Sequence, residues 1–307
     1  MTKLKYRKPS FLWNSYVSDI SEEQINKILQ GISIPPQPQI MVDLQMEQVM
    51  PDPDIARIAK LISQDVGLAG TVLKVVNSPF YGLSNKITSI NQAVGILGMN
   101  SVVNIVNGIS IKSSMSDEKI KTLTRFWDSA MDVAMTSATL AKAVGYNYPD
   151  NAYTLGLFHN CGVPLLMARF DNYVDIMIES YSGNHERIID FENQQLNTNH
   201  AVIGYYTAKS WHLPKVLCDI IAEHHNCRRL YESKSSETDK TTLTSILKMS
   251  EHICGSYKVL GQQEEDFEWN DIGSLVLEFL GFNDYDLDNF KESFAEMGIS
   301  PNNYGLT

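Results

Sequence analysis

Apolar residues in this chain recur at helical spacing, and no alternating run is bounded by hairpin turns. Asp54 precedes Ile55, Ile58, Ala59 and Ile62, which share one helix face. Asp65 stands likewise before Leu68, Val72, Leu73 and Val76, and Pro79 stops that run. Ser89-Ile90-Asn91-Gln92 has the form of a capping box and opens a helix that closes at Gly98. The pattern predicts an all-α protein.

The remaining segments follow the same logic. A helix starts at Ser21 and ends near Gly31. Ile34-Pro35-Pro36-Gln37-Pro38 is extended, because proline fixes its own φ and restrains its predecessor. Ile40, Leu44 and Val49 mark a helix that closes before Pro51, and another runs from about Asn100 to Ile111. The polar stretch 112–121 is the expected hinge between a first lobe and a second. A long helix covers Leu123 to Val144, with Ala130, Ala134, Ser137, Ala138 and Ala141 small enough for close packing. Beyond Pro149 come a helix carrying His159 and helical segments near 164–181, 184–194, 200–211 and 214–225. Residues 232–241 read as a polar linker, followed by a helix near 242–260. Glu264, Glu265, Asp266, Glu268 and Asp271 read as a solvated acidic face. Asp284, Asp286 and Asp288 lack the glycine and glutamate of a calcium loop.

The formal net charge of -11 repels nucleic acid and anionic membrane surfaces. The segment 67–76, which a helix-turn-helix would use for recognition, offers Lys74 and no arginine, so it reads as core packing. A basic-aromatic arm over residues 1–20 reads as a tail packed on its own domain. Cys161, Cys218, Cys227 and Cys254 form no CxxC pair, there is no secretory pattern, and no apolar run is long enough for a bilayer, so a cytoplasmic protein with reduced thiols is expected. Phosphate loops, nucleophile elbows and dinucleotide fingerprints do not occur.

Several motifs, in order, resemble the HDOD family, the HD-related output domains of bacterial signalling proteins. They are Ile34-Pro35-Pro36-Gln37-Pro38, Ile62-Ser63-Gln64-Asp65-Val66-Gly67-Leu68, Val76-Asn77-Ser78-Pro79-Phe80-Tyr81-Gly82 and Ser89-Ile90-Asn91-Gln92-Ala93-Val94. Gly156-Leu157-Phe158-His159-Asn160-Cys161-Gly162, Asn199-His200-Ala201-Val202-Ile203-Gly204, Trp211-His212-Leu213-Pro214 and Glu223-His224-His225 complete the set. The resemblance implies a two-lobed helical domain with an HD-like helical core over residues 30–230, its lobes at about 30–115 and 116–230. An N-terminal arm and first helix occupy 1–29, and a linker and C-terminal helical extension occupy 231–307.

HD enzymes are metal-dependent phosphohydrolases whose centre needs an upstream histidine, an adjacent His-Asp pair and a later aspartate. Here Asn160 replaces the aspartate of the pair, and Asp128 stands where the upstream histidine would fall. A neutral carboxamide is a poor substitute for an anionic ligand. The resemblance therefore implies a relic pocket of Asp128, His159, Asn160, His200, His224 and His225, with no catalytic residue, no metal and no cofactor. It implies a signalling module that acts by binding a protein partner. A divergent phosphohydrolase using Asp128, His159 and His200 is the alternative, and a nucleic-acid regulator is disfavoured by the acidic charge.

Overall fold

The computed structural model describes residues 22–34, 39–77, 81–99, 101–103, 105–106, 124–232 and 238–301. The arm, most of the proline motif, most of the helix expected after Asn100, the hinge at 112–121 and the centre of the polar linker lie outside the described residues. Every regular element among the described residues is helical. In chain order they are α1 (Glu22–Leu29), α2 (Gln39–Gln48), α3 (Ile55–Ser63), α4 (Val66–Val76), α5 (Ile90–Leu97), α6 (Thr124–Ala143) and α7 (Pro149–Phe158). There follow α8 (Gly162–Arg169), α9 (Tyr173–Ser180), α10 (Ile188–Leu196), α11 (His200–Ser210) and α12 (Lys215–Glu223). The last are α13 (Arg228–Glu232), α14 (Thr238–Cys254), α15 (Ser256–Val259), α16 (Phe267–Leu280) and α17 (Asp284–Glu296).

Side-chain caps set several of these boundaries. Asp54 accepts from the Ala56 amide at 2.8 Å, Asp65 from Leu68 at 2.9 Å and Asn199 from Val202 at 2.9 Å, each supplying an acceptor to an otherwise orphan N–H. Ser89 stands at the N-cap of α5 but makes no side-chain cap bond, so the helix starts there without the box. The segment expected as one helix over 164–181 is two, α8 and α9, broken at the extended Phe170. The helix expected near 242–260 starts earlier, at Thr238, and breaks at Gly255, whose φ is +75°. Asp286 bonds back to the Asn283 amide as half of a capping box, which gives that carboxylate a helix to start rather than an ion to hold.

Helices α2 to α5 pack on one another, and α6, α7, α8, α11, α12 and α14 form the larger stack. One continuous buried cluster runs from Ile32 to Ile299. Ser101 donates to Asp150 at 2.8 Å and Arg169 to the Gln30 carbonyl at 3.1 Å, tying the early helices to the later ones. Within the stack α7, α11 and α14 are buried on nearly all sides, as central helices must be. These helices carry or adjoin His159, His200, Lys248 and Glu251, which is why those residues are withdrawn from water.

Two glycines set the spacing. A Cβ on Gly156 would meet the Ala134 Cα at 2.7 Å, so α7 lies against the small-residue face of α6 expected from sequence. A Cβ on Gly162 would stand 2.0 Å from the His200 carbonyl oxygen, inside any contact distance. Gly162 thus lets the start of α8 touch the first turn of α11, which fixes where His200 sits. Helix propensity favours alanine over glycine by about 1 kcal/mol, but the backbone clash opposes it. Gly162→Ala is therefore expected to lower stability in urea unfolding by about 1–3 kcal/mol, or to displace α11.

Candidate functional site

Four histidines meet in the core. His159 caps the C-terminus of α7, His200 opens α11, and His224 and His225 end α12. None is more than 3% exposed. The rings stand close: His200 to His225 at 4.9 Å, His200 to His224 at 5.4 Å and His159 to His224 at 5.6 Å between centroids. Tertiary packing brings both His224 and His225 into the pocket, as expected.

Each ring turns Nδ1 outward onto an acceptor. His159 Nδ1 is 2.7 Å from the Gly156 carbonyl and His224 Nδ1 is 2.8 Å from the Ile221 carbonyl. A carbonyl only accepts, so these two nitrogens carry the proton. His200 Nδ1 is 2.8 Å from Glu192 Oε2, and His225 Nδ1 is 2.8 Å from Glu268 Oε1. Glu192 is fully buried and is itself held by the Tyr173 hydroxyl at 2.5 Å and the His200 amide at 3.0 Å.

Asn160 does the opposite of what an aspartate would do. Its Nδ2 donates to His159 Nε2 at 2.8 Å, covering the lone pair that a metal would need. Its Oδ1 is buried without a partner. Asp128 does not join the cluster: it lies on the exposed side of α6, 3.7 Å from Lys74, with about half its side chain in water. The expected relic pocket therefore keeps His159, Asn160, His200, His224 and His225 and loses Asp128. The residues present do not fit the metal centre of an HD hydrolase, because the pair's carboxylate is absent and its histidine is already bonded.

The C-terminal extension supplies groups that the sequence pattern did not single out. Lys248 of α14 is buried, 2.8 Å from Glu251 Oε2 and 2.9 Å from Glu268 Oε2 of α16. Glu251 Oε1 lies 3.3 Å from His159 Nε2. Burial pushes the Glu251 carboxyl up, but Lys248 more than offsets it and holds it well below its usual range. At Glu268 burial also pushes the carboxyl up, and there it wins, above the ordinary carboxylate range, with Lys248 pulling against it. For Lys248 burial favours the neutral amine, yet Glu251 and Glu268 outweigh it and raise the ammonium. The acidic face expected at 264–271 is thus divided: Glu268 points inward, and Asp266 caps α16 through the Trp269 amide at 3.0 Å and accepts from His252 at 2.9 Å. The signal available was Lys248 three residues before Glu251, but that spacing alone does not distinguish it from a surface i,i+3 pair.

The cysteines form no reactive centre. All four are buried, and burial pushes the Cys161 thiol up while its Sγ–H faces the Gly204 carbonyl at 3.7 Å. No helix among the described residues is long and apolar enough to cross a membrane.

The HDOD domain family matches residues 34–227. An uncharacterized protein of Treponema pallidum (strain Nichols) is 29% identical over 200 residues, covering 63% of this chain. The cyclic di-GMP phosphodiesterase CdgJ of Vibrio cholerae serotype O1 is 24% identical over 154 residues, half of this chain. This chain spans only 38% of the first relative's length and 34% of the second's. An HDOD domain protein of unknown function from Geobacter sulfurreducens has the same fold, with a TM-score of 0.66 and 21% identity over 92% of this chain and 97% of its own.

The ion network and the surface pair predict opposite outcomes. Removing one partner of a buried pair strands the others, so Lys248→Met is expected to cost about 3–5 kcal/mol in urea unfolding. Asp128→Ala is expected to change stability by less than about 0.5 kcal/mol, since exposed ion pairs contribute little.

Proposed function

This chain belongs to the HDOD domain family, and from that premise we propose that it is a non-catalytic signalling module that works by binding a protein partner in the bacterial cytoplasm. The observation that carries the reading is Asn160, whose amide donates to His159 Nε2 where a hydrolytic centre needs an anionic ligand beside a free one. Two further observations support it. Asp128 stands at the surface, so the ligand set of a divergent phosphohydrolase is not assembled. The histidine rings are closed to solvent, which leaves no room for a phosphate ester against them.

A binding role also accords with the exposed Met46, Val49, Met50 and Ile55, apolar side chains between the body of α2 and the start of α3. Nucleic acid is a poor partner, because the chain is acidic and Lys74 of α4 is already beside Asp128.

Turnover assays test the reading. The purified chain, supplied in turn with Mg2+, Mn2+, Fe2+ and Ni2+, is expected to leave cyclic di-GMP and a chromogenic phosphodiester intact above the metal-only background. Hydrolysis that His159→Ala abolishes would sink the non-catalytic reading.

A further inference from the structure

We propose that His200, His224 and His225 form a buried site for one divalent transition-metal ion, with a structural role and a ligand set separate from the His-Asp pair. Ligand atoms of these three residues all lie within 4.8 Å of one another. With each Nδ1 turned outward, the nitrogen left on each ring is Nε2. His224 Nε2 is buried and has no hydrogen-bond partner among the described residues. His200 Nε2 and His225 Nε2 face each other at 3.0 Å. When both rings are neutral with Nδ1 protonated toward glutamate, two lone pairs oppose each other at that distance, and a cation between them removes the repulsion. Two imidazole nitrogens at about 2.0–2.1 Å from a tetrahedral ion stand about 3.4 Å apart, so a small outward shift suffices.

The surroundings match what a metal-bound imidazole requires. A ligating histidine donates its other N–H to a carboxylate or a backbone carbonyl, which fixes the tautomer and raises the ligand's basicity. Glu192 does this for His200, Glu268 for His225 and the Ile221 carbonyl for His224. The local charge also calls for a cation. Three carboxylates, Glu192, Glu251 and Glu268, stand around the rings against one ammonium, Lys248. Three imidazoles select a borderline ion such as Zn2+, Fe2+, Co2+ or Ni2+ over Mg2+ or Ca2+. A small cleft lined by Tyr181, Lys248, Glu251, Asp266 and Glu268 opens beside Glu268, the carboxylate that holds His225 Nδ1.

His159 is outside the set because Asn160 covers its Nε2. The substitution that disables hydrolysis thus leaves the other three rings free to bind an ion. Glu268 lies beyond the matched family region, on α16. The ion accordingly staples the C-terminal helices to the domain, through His225, Glu268 and Lys248.

The test uses the full chain purified without chelator or polyhistidine tag. Elemental analysis is expected to give about one equivalent of a transition metal per chain. Chelator dialysis should lower Tm by about 5 °C or more, and the same metal should restore it. His224→Gln should lose the ion, Glu268→Gln should weaken its binding about 10–100-fold in chelator competition, and Asp128→Ala should keep it. The proposal is overturned if the wild-type chain holds under a tenth of an equivalent and neither binds nor is stabilised by Zn2+, Fe2+, Co2+ or Ni2+; a shared proton would then bridge His200 and His225. Metal that survives both His200→Gln and His224→Gln would overturn it equally. If the variants fail to fold, wild-type depletion and reconstitution decide the matter. Turnover, or its absence, bears on the signalling reading and leaves this one untouched.

Discussion

One ammonium group stabilises the polar centre of this protein. Lys248 lies between Glu251 and Glu268, and without it two carboxylates would face each other in a dry interior. Through Glu268 it fixes the Nδ1 side of His225, and through Glu251 it sets the field beside His159. Because Lys248 and Glu251 ride on α14 and Glu268 on α16, the helices after the matched family region are part of the site.

The geometry gives the Asn160 replacement a physical content beyond the loss of a charge. An aspartate beside His159 would add a third buried carboxylate to Glu192 and Glu251, next to the partly buried Glu268. The amide adds no charge and gives a hydrogen to the ring nitrogen. The polar groups of this centre are mostly satisfied internally. Its residual unmet groups, His224 Nε2 and Asn160 Oδ1, lie where the change occurred.

Close approach of backbones makes this possible. Gly162 against the His200 carbonyl brings α8 to α11, and Gly156 against Ala134 brings α7 to α6, nearer than side chains would allow. Tight spacing places four imidazoles within a few ångströms, and full burial makes their hydrogen-bond partners decisive, since no water is at hand to replace a missing one.

The sequence by itself determined the helical class and most helix starts, and the ordered motifs implied, through the family resemblance, that His159, Asn160, His200, His224 and His225 share a pocket. Those features are local: a cap, an apolar period or an ordered set of motifs can be read without knowing what lies across the core. Tertiary structure decided that Asp128 faces solvent, that Glu192 and Glu268 hold two of the rings, and that Lys248 is buried. A charged residue on a helix reads as exposed until its partner is known, and Glu268 and Lys248 meet across 20 positions of chain. Which carboxylate is in water and which serves a ring depends on helix packing, and packing is set by distant segments acting together.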